Sequence, residues 1–302
     1  MTFFDRFIAG EKEQIDHALR ATMPERFIHL NSGDTFVEQS GPQNGETVVL
    51  LHGFSVPLFI WDATVEDLTN QGFRVVRYDL FGRGYSDRPV AKYSTSLFVN
   101  QLEQLVEALN IQGKINLISL SMGGVIAAAF AAKFPDRIKH LAFIDPAGFQ
   151  LNLPRETELL RWPIIGEILL GLFDRFGSSN IVDGMLADFY EPTQEAVDYF
   201  VPRYKEQMRY QGFKRALLST LRQGVLDENL IIFQALSSAK YPVQLIWGED
   251  DQTVPFKHSN TFLELIPSTV FHPIPRAGHI PHFERPDFVN PLLIEFLKGS
   301  TI

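Results

Sequence analysis

Ser121 stands in the segment Ile118-Ser-Leu-Ser-Met-Gly-Gly-Val-Ile-Ala127, with a small residue two before it (Ser119) and two after it (Gly123). An apolar run, Lys114-Ile-Asn-Leu-Ile118, leads into the segment, and an alanine-rich run from Val125 to Lys133 leaves it. The pattern reads as strand, sharp turn and helix, with a serine hydroxyl lifted clear of the backbone at the apex. Amides at the helix start then face whatever that hydroxyl attacks. A serine hydroxyl is a poor nucleophile at neutral pH. It needs a histidine to take its proton, an acid to hold that imidazole, and donors for the developing oxyanion. The plain alternative is a strand–helix loop carrying an incidental serine.

The rest of the chain must bring such groups to one place. Short runs at Thr47–Leu51, Phe73–Tyr78, Leu141–Ile144, Val243–Trp247 and Thr269–His272 predict strands, Thr47–Leu51 and Leu141–Ile144 reading as buried. Helical periodicity falls between them at Asp62–Asn70, Ser94–Asn110, Lys257–Leu265 and Asp287–Lys298. Alternating strands and helices imply a mostly parallel sheet covered on both faces, with ligands beyond the carboxyl ends of the strands. That rim would carry His52, Phe54, Asp79, Ser121, Asp145, Asp250, Asp251 and a loop holding His279 and His282. Several acids and histidines therefore compete for the partner roles. Ahead of the sheet, a helix around Glu11–Ala21 and a hairpin across Asn31-Ser-Gly-Asp34 are expected.

The chain has 302 residues, 45% of them hydrophobic, which suits one large α/β domain with an inserted lobe. A net charge of −9 with no basic cluster disfavours nucleic-acid binding. The absence of cysteine excludes disulfides, a thiol nucleophile and cysteine-ligated zinc. Asp5 and Arg6 interrupt the first apolar residues, so a signal peptide is not expected, no apolar stretch is long enough to span a membrane, and the cytoplasm is the expected location. Between 149 and 236 β-type runs disappear. Bulky apolar residues such as Trp162, Ile164, Ile165, Ile168, Leu170 and Phe173 sit there among Pro and Gly breaks. The segment is expected to be a helical cap (149–236) inserted into a core of 1–148 and 237–302. Its apolar faces would pack on the core or line an acyl pocket.

In motif content and order the chain resembles the α/β-hydrolase family from about Thr35 to Leu297. The order Ser, Asp, His matches that family. Gly248-Glu-Asp-Asp251-Gln-Thr-Val-Pro255 matches its acid motif and selects Asp251, and Gly278-His279 selects His279. His52-Gly53-Phe54 matches its oxyanion loop, which implies donors at the amides of Phe54 and Met122. Asp79-Leu-Phe-Gly-Arg-Gly-Tyr-Ser86 matches a glycine-shaped supporting turn. Serine at the apex speaks against the dehalogenase and epoxide-hydrolase branches, which use aspartate there.

The resemblance implies a serine hydrolase without cofactor or metal. The first expectation is a capped carboxylesterase for small to medium acyl esters, monoacylglycerols included. A second is a carbon–carbon bond hydrolase of the meta-cleavage type, and a third is a ligand receptor built on a hydrolase fold. Two features weigh against the second: Leu120 stands where that group usually has Asn, and His-Gly-Phe-Ser-Val-Pro replaces its glycine-rich loop. The sequence names no substrate-binding residue.

Overall fold

The structure is a computed structural model that describes residues 10–23, 26–150, 155–169 and 184–299. Its frame is an eight-stranded sheet in the order β1-β2-β4-β3-β5-β6-β7-β8. The strands are β1 (Phe27–Leu30), β2 (Gly33–Ser40), β3 (Thr47–Leu51), β4 (Arg74–Tyr78), β5 (Ile115–Leu120), β6 (Ile138–Ile144), β7 (Val243–Gly248) and β8 (Val270–Ile274). From β4 to β8 every pairing is parallel; the β1–β2 hairpin adds an antiparallel margin through β2 and β4.

Period-2 alternation sorts each strand between the two faces. Val49, Leu51, Ile115 and Leu117 enter one apolar cluster with the Thr95–Ala108, Met122–Lys133 and His258–Leu265 helices. Val48, Leu50, Ile118 and Leu120 enter the other, with the Asp62–Asn70 and Pro286–Leu297 helices. Both faces are thus covered, which is why β5 and β7 are buried along their whole length.

The N-terminal expectation needs correction. The helix covers only His17–Ala21. Glu11 is drawn out of it because its carboxylate accepts the amides of Gly212 and Lys214, at 2.6 and 2.7 Å, and Glu13 pairs with Tyr210.

Between β6 and β7 the chain inserts the cap region, with helices Arg155–Leu160, Gln194–Gln207, Phe213–Arg222 and Leu230–Gln234. Its described residues contain no strand. The expected apolar packing fails for Trp162, Ile164, Ile165 and Ile168, which are 61, 58, 40 and 55% exposed. Leu170 and Phe173 lie outside the described residues. Among the described residues, no helix is long and apolar enough to cross a membrane.

Candidate active site

Ser121 follows β5 with φ 52° and ψ −120°, a left-handed conformation that a residue with a Cβ adopts only under constraint. The surroundings supply the constraint. The Ser121 amide donates to Ile144 O at 3.0 Å, and Ser121 O accepts from Gly124 N at 2.8 Å and Ala147 N at 3.0 Å. A Cβ on Gly123 would lie 2.7 Å from the carbonyl oxygens of both Leu51 and His52, so only glycine lets the helix start this close to β3. Ser119 fits because its hydroxyl donates to Ala142 O across the sheet, at 3.1 Å.

The 52–54 loop runs beside this turn: a Cβ on Gly53 would stand 3.3 Å from the Ser121 Cβ. Among the described residues, neither the Phe54 amide nor the Met122 amide donates to another acceptor. The Met122 amide is free because it opens a helix. His52 is not a base. It is fully buried, its Nδ1 donates to Gly53 O and its Nε2 accepts from Leu80 N, both at 2.9 Å, and burial pushes it down to about 3.

His279 and Asp251 meet at the ends of β8 and β7. His279 Nδ1 and Asp251 Oδ2 are 2.7 Å apart, and the two residues are 5 and 4% exposed. The other Asp251 oxygen accepts the amides of Thr253 and Val254 at 2.8 and 2.9 Å, which fixes the carboxylate plane. With its Nδ1–H given to Asp251, the neutral imidazole offers Nε2 as an acceptor. Burial opposes charge on His279, but the Asp251 carboxylate outweighs it and the imidazole rises to about 9.

The rivals separate on geometry. His282 packs against Trp61 with ring centroids 4.2 Å apart, is fully buried, and is pushed down to about 3 by that burial. Asp250 is half-buried, and it is Asp251 whose carboxylate bonds His279. Asp145 comes close: its oxygen, that of Asp251 and a His279 nitrogen lie within 4.8 Å of one another. Two carboxylates and an imidazole could in principle hold a cation, but Asp251 Oδ2 and His279 Nδ1 are already bonded to each other. Asp79 is spent on the amides of Leu58 and Tyr85, at 2.9 and 2.8 Å, which agrees with a supporting turn.

Sequence reasoning missed the cap's grip on the histidine loop. Asp188 O accepts the His279 amide at 2.7 Å, and Asp188 Oδ1 accepts the Thr253 hydroxyl at 2.6 Å. Glu284 accepts the amides of Gly278 and Tyr190, at 2.8 and 2.7 Å. No local pattern marks Asp188, because its partners are distant in sequence. A cleft of about 780 Å³ between Asp62, Tyr199 and Phe283 is lined by none of Ser121, Asp251 and His279.

A sequence profile for the alpha/beta hydrolase fold matches residues 46–286. The chain belongs to the α/β-hydrolase fold family. Among relatives in this family, the 2-hydroxy-6-oxo-6-(2'-aminophenyl)hexa-2,4-dienoic acid hydrolase of Metapseudomonas resinovorans is 24% identical, over 94% of both chains. The 2-hydroxy-6-oxononadienedioate/2-hydroxy-6-oxononatrienedioate hydrolase of Paraburkholderia xenovorans is 26% identical, over 93% of this chain and 97% of its own. A thermophilic esterase from Thermogutta terrifontis superposes with a TM-score of 0.73 at 26% identity, covering 90% of this chain and 98% of its own. This α/β-hydrolase is a hydrolytic enzyme whose resemblance runs more to the meta-cleavage-product hydrolases than to classical esterases.

Proposed function

We infer that the protein is a serine-dependent carbon–carbon bond hydrolase acting on a dienol ketone of the meta-cleavage type. The roles assigned from sequence go to the same residues. Ser121 adds to the activated carbonyl, His279 takes the serine proton, and Asp251 holds the imidazole tautomer. The amides of Phe54 and Met122 receive the oxyanion. The bound dienol first ketonises, its hydroxyl proton moving to the carbon beside that carbonyl, so that C–C cleavage of the serine adduct releases a conjugated dienolate whose oxygen takes the proton back from His279. Water, activated by the same imidazole, releases the acyl group as an acid. The observation that carries the reading is the strained Ser121 turn on the same sheet rim as the 2.7 Å His279–Asp251 pair. The full-length resemblance to two dienoate hydrolases supplies the substrate class.

The esterase reading keeps one specific support: Leu120 and the Phe54-Ser-Val-Pro57 stretch depart from the usual pattern of carbon–carbon hydrolases. Leu120 is 2% exposed and packs in the apolar cluster with Ile118, so it presents no polar group to a substrate. The same machinery would cleave an ester, with an alcohol in place of the carbon leaving group. Parallel kcat/KM values for a dienol ketone and a p-nitrophenyl ester decide between the two. Stoichiometric labelling of Ser121 by a fluorophosphonate in one sample, and many turnovers on either substrate by the unlabelled protein, would set aside a pure ligand receptor. The extent of the cap, 149–236 against a core of 1–148 and 237–302, belongs to the same proposal, and limited proteolysis tests it.

A further inference from the structure

Three successive carbonyls of the loop beside Ser121 are each held by a buried side chain. His52 Nδ1 donates to Gly53 O at 2.9 Å. Arg83 Nε donates to Phe54 O at 2.7 Å. Gln207 Nε2 donates to Ser55 O at 2.7 Å. Loop carbonyls at a domain surface ordinarily turn to water. Here both peptide planes that flank Phe54 are locked, and with them the direction of its N–H.

Two of the three holders lead to the cap. Gln207 is the last residue of the cap helix Gln194–Gln207, and its other amide atom accepts Gly84 N at 3.0 Å. Arg83 donates through Nη2 to Thr220 Oγ1, at 2.9 Å, on the cap helix Phe213–Arg222. The Thr220 hydroxyl in turn donates to Ala216 O at 2.9 Å, so its lone pair faces the guanidinium. Arg83 and Thr220 are fully buried and Gln207 is 1% exposed.

Arg83 is an expensive residue to bury. Among the described residues no carboxylate pairs with it. The rings of Phe54, Tyr93 and Phe98 surround its guanidinium at 5.4, 5.9 and 5.4 Å, and Phe81 O takes a further N–H at 3.1 Å. A buried cation without a counter-ion costs stability, and a hydrophobic residue there would be cheaper. A planar fork that reaches Phe54 O, Phe81 O and Thr220 at once is what only arginine supplies.

We propose that Arg83 and Gln207 are positioning residues for the oxyanion donor, and that the cap sets that donor's geometry through them, Gln207 directly and Arg83 by way of Thr220. The proposal rests on the reading of the Phe54 amide as an oxyanion donor. Substrate binding would be little affected, because neither side chain is exposed to a ligand. Stabilisation of the tetrahedral state would suffer, because its donor must be in place before charge develops.

The test uses Gln207→Met, Thr220→Val and Arg83→Lys in the full-length protein. Removing an oxyanion donor outright lowers kcat by ~10²–10³-fold. Loosening one should cost less. Gln207→Met is expected to lower kcat about 10- to 100-fold with KM within about 3-fold, and Thr220→Val about 3- to 10-fold. Affinity for a trifluoromethyl ketone, which forms a tetrahedral adduct, should fall in parallel with kcat. A purely structural role would lower Tm but leave kcat per titrated active site and trifluoromethyl ketone affinity unchanged, and that result overturns the proposal. Should Arg83→Lys fail to fold, Gln207→Met and Thr220→Val carry the test. Ser121→Ala in the same assay separates the two claims. Loss of turnover with Ser121→Ala, alongside unchanged kcat in the two cap variants, overturns only the positioning role. Retained turnover with Ser121→Ala overturns the underlying reading and the positioning role together.

Discussion

Asp145 and Asp251 stand at the ends of neighbouring strands β6 and β7, with an oxygen of each and a His279 nitrogen all within 4.8 Å. Burial, reinforced by the charge of Asp251, holds the Asp145 carboxyl well above the usual carboxylate range. Asp251 is the member of the pair that bonds the imidazole. Asp145 Oδ1 accepts the Gly248 amide at 2.9 Å and so pins the start of the acid loop.

Asp145→Asn keeps a neutral acceptor of the same shape. It is expected to leave kcat/KM within about 3-fold of wild type. Asp145→Ala orphans the Gly248 amide, a buried donor whose loss of partner costs roughly 1–3 kcal/mol. Urea unfolding of the two variants checks the contrast. A severe activity loss in Asp145→Asn would mean that Asp145 must ionise.

The elevated His279 sets the pH dependence. Its imidazole must be neutral to accept the serine proton, so kcat/KM should climb with pH along a limb lying above 6.5 and toward about 9. Asp251→Asn should shift that limb down and lower kcat by ~10³–10⁴-fold. The stability sign is the opposite. Because the folded value is raised, the stabilisation from the charged pair is full below about 6.5 and is lost as pH rises through about 9. A pH–rate profile and a Tm–pH series on the same samples check both limbs.

Gly278 has no room for a side chain. A Cβ there would lie 2.4 Å from Asp188 O and 2.9 Å from both Phe189 C and Tyr190 N. Gly278→Ala should push the cap's 188–190 segment away from the histidine loop, break the His279 amide contact, and lower kcat/KM at least about 10-fold. Overpacking of this kind costs ~1–3 kcal/mol. Wild-type kinetics in Gly278→Ala would show that the contact between cap and histidine loop is dispensable.

Much of this arrangement was legible before the fold was seen. Central strands such as Thr47–Leu51 read as apolar runs because both faces are buried, and a run of that kind is legible without its context. Ser121 and its glycines were readable because a tight approach to β3 excludes side chains. The choice of Asp251 and His279 followed from the resemblance to the acid and Gly-His motifs of the α/β-hydrolases. What escaped were groups whose roles depend on distant partners. Gln207 looks like any polar helix end until Ser55 O and Gly84 N are placed on either side of it. Glu11 looked helical because nothing local announces the amides of Gly212 and Lys214. The leaning toward esters rested on Leu120 and the 54–57 loop. A buried Leu120 says little about the bond that is broken, and the resemblance over most of the chain runs more to the meta-cleavage-product hydrolases.

The central claim is that Ser121 drives hydrolysis of a dienol ketone in preference to an ester. The direct measurement is kcat/KM for 2-hydroxy-6-oxo-6-phenylhexa-2,4-dienoate and for p-nitrophenyl acetate, in wild type and in Ser121→Ala. The expected result is at least about a 10-fold preference for the dienoate, with both activities reduced by ~10³-fold or more in the variant. A preference for the ester, or dienoate turnover that survives Ser121→Ala, would contradict it.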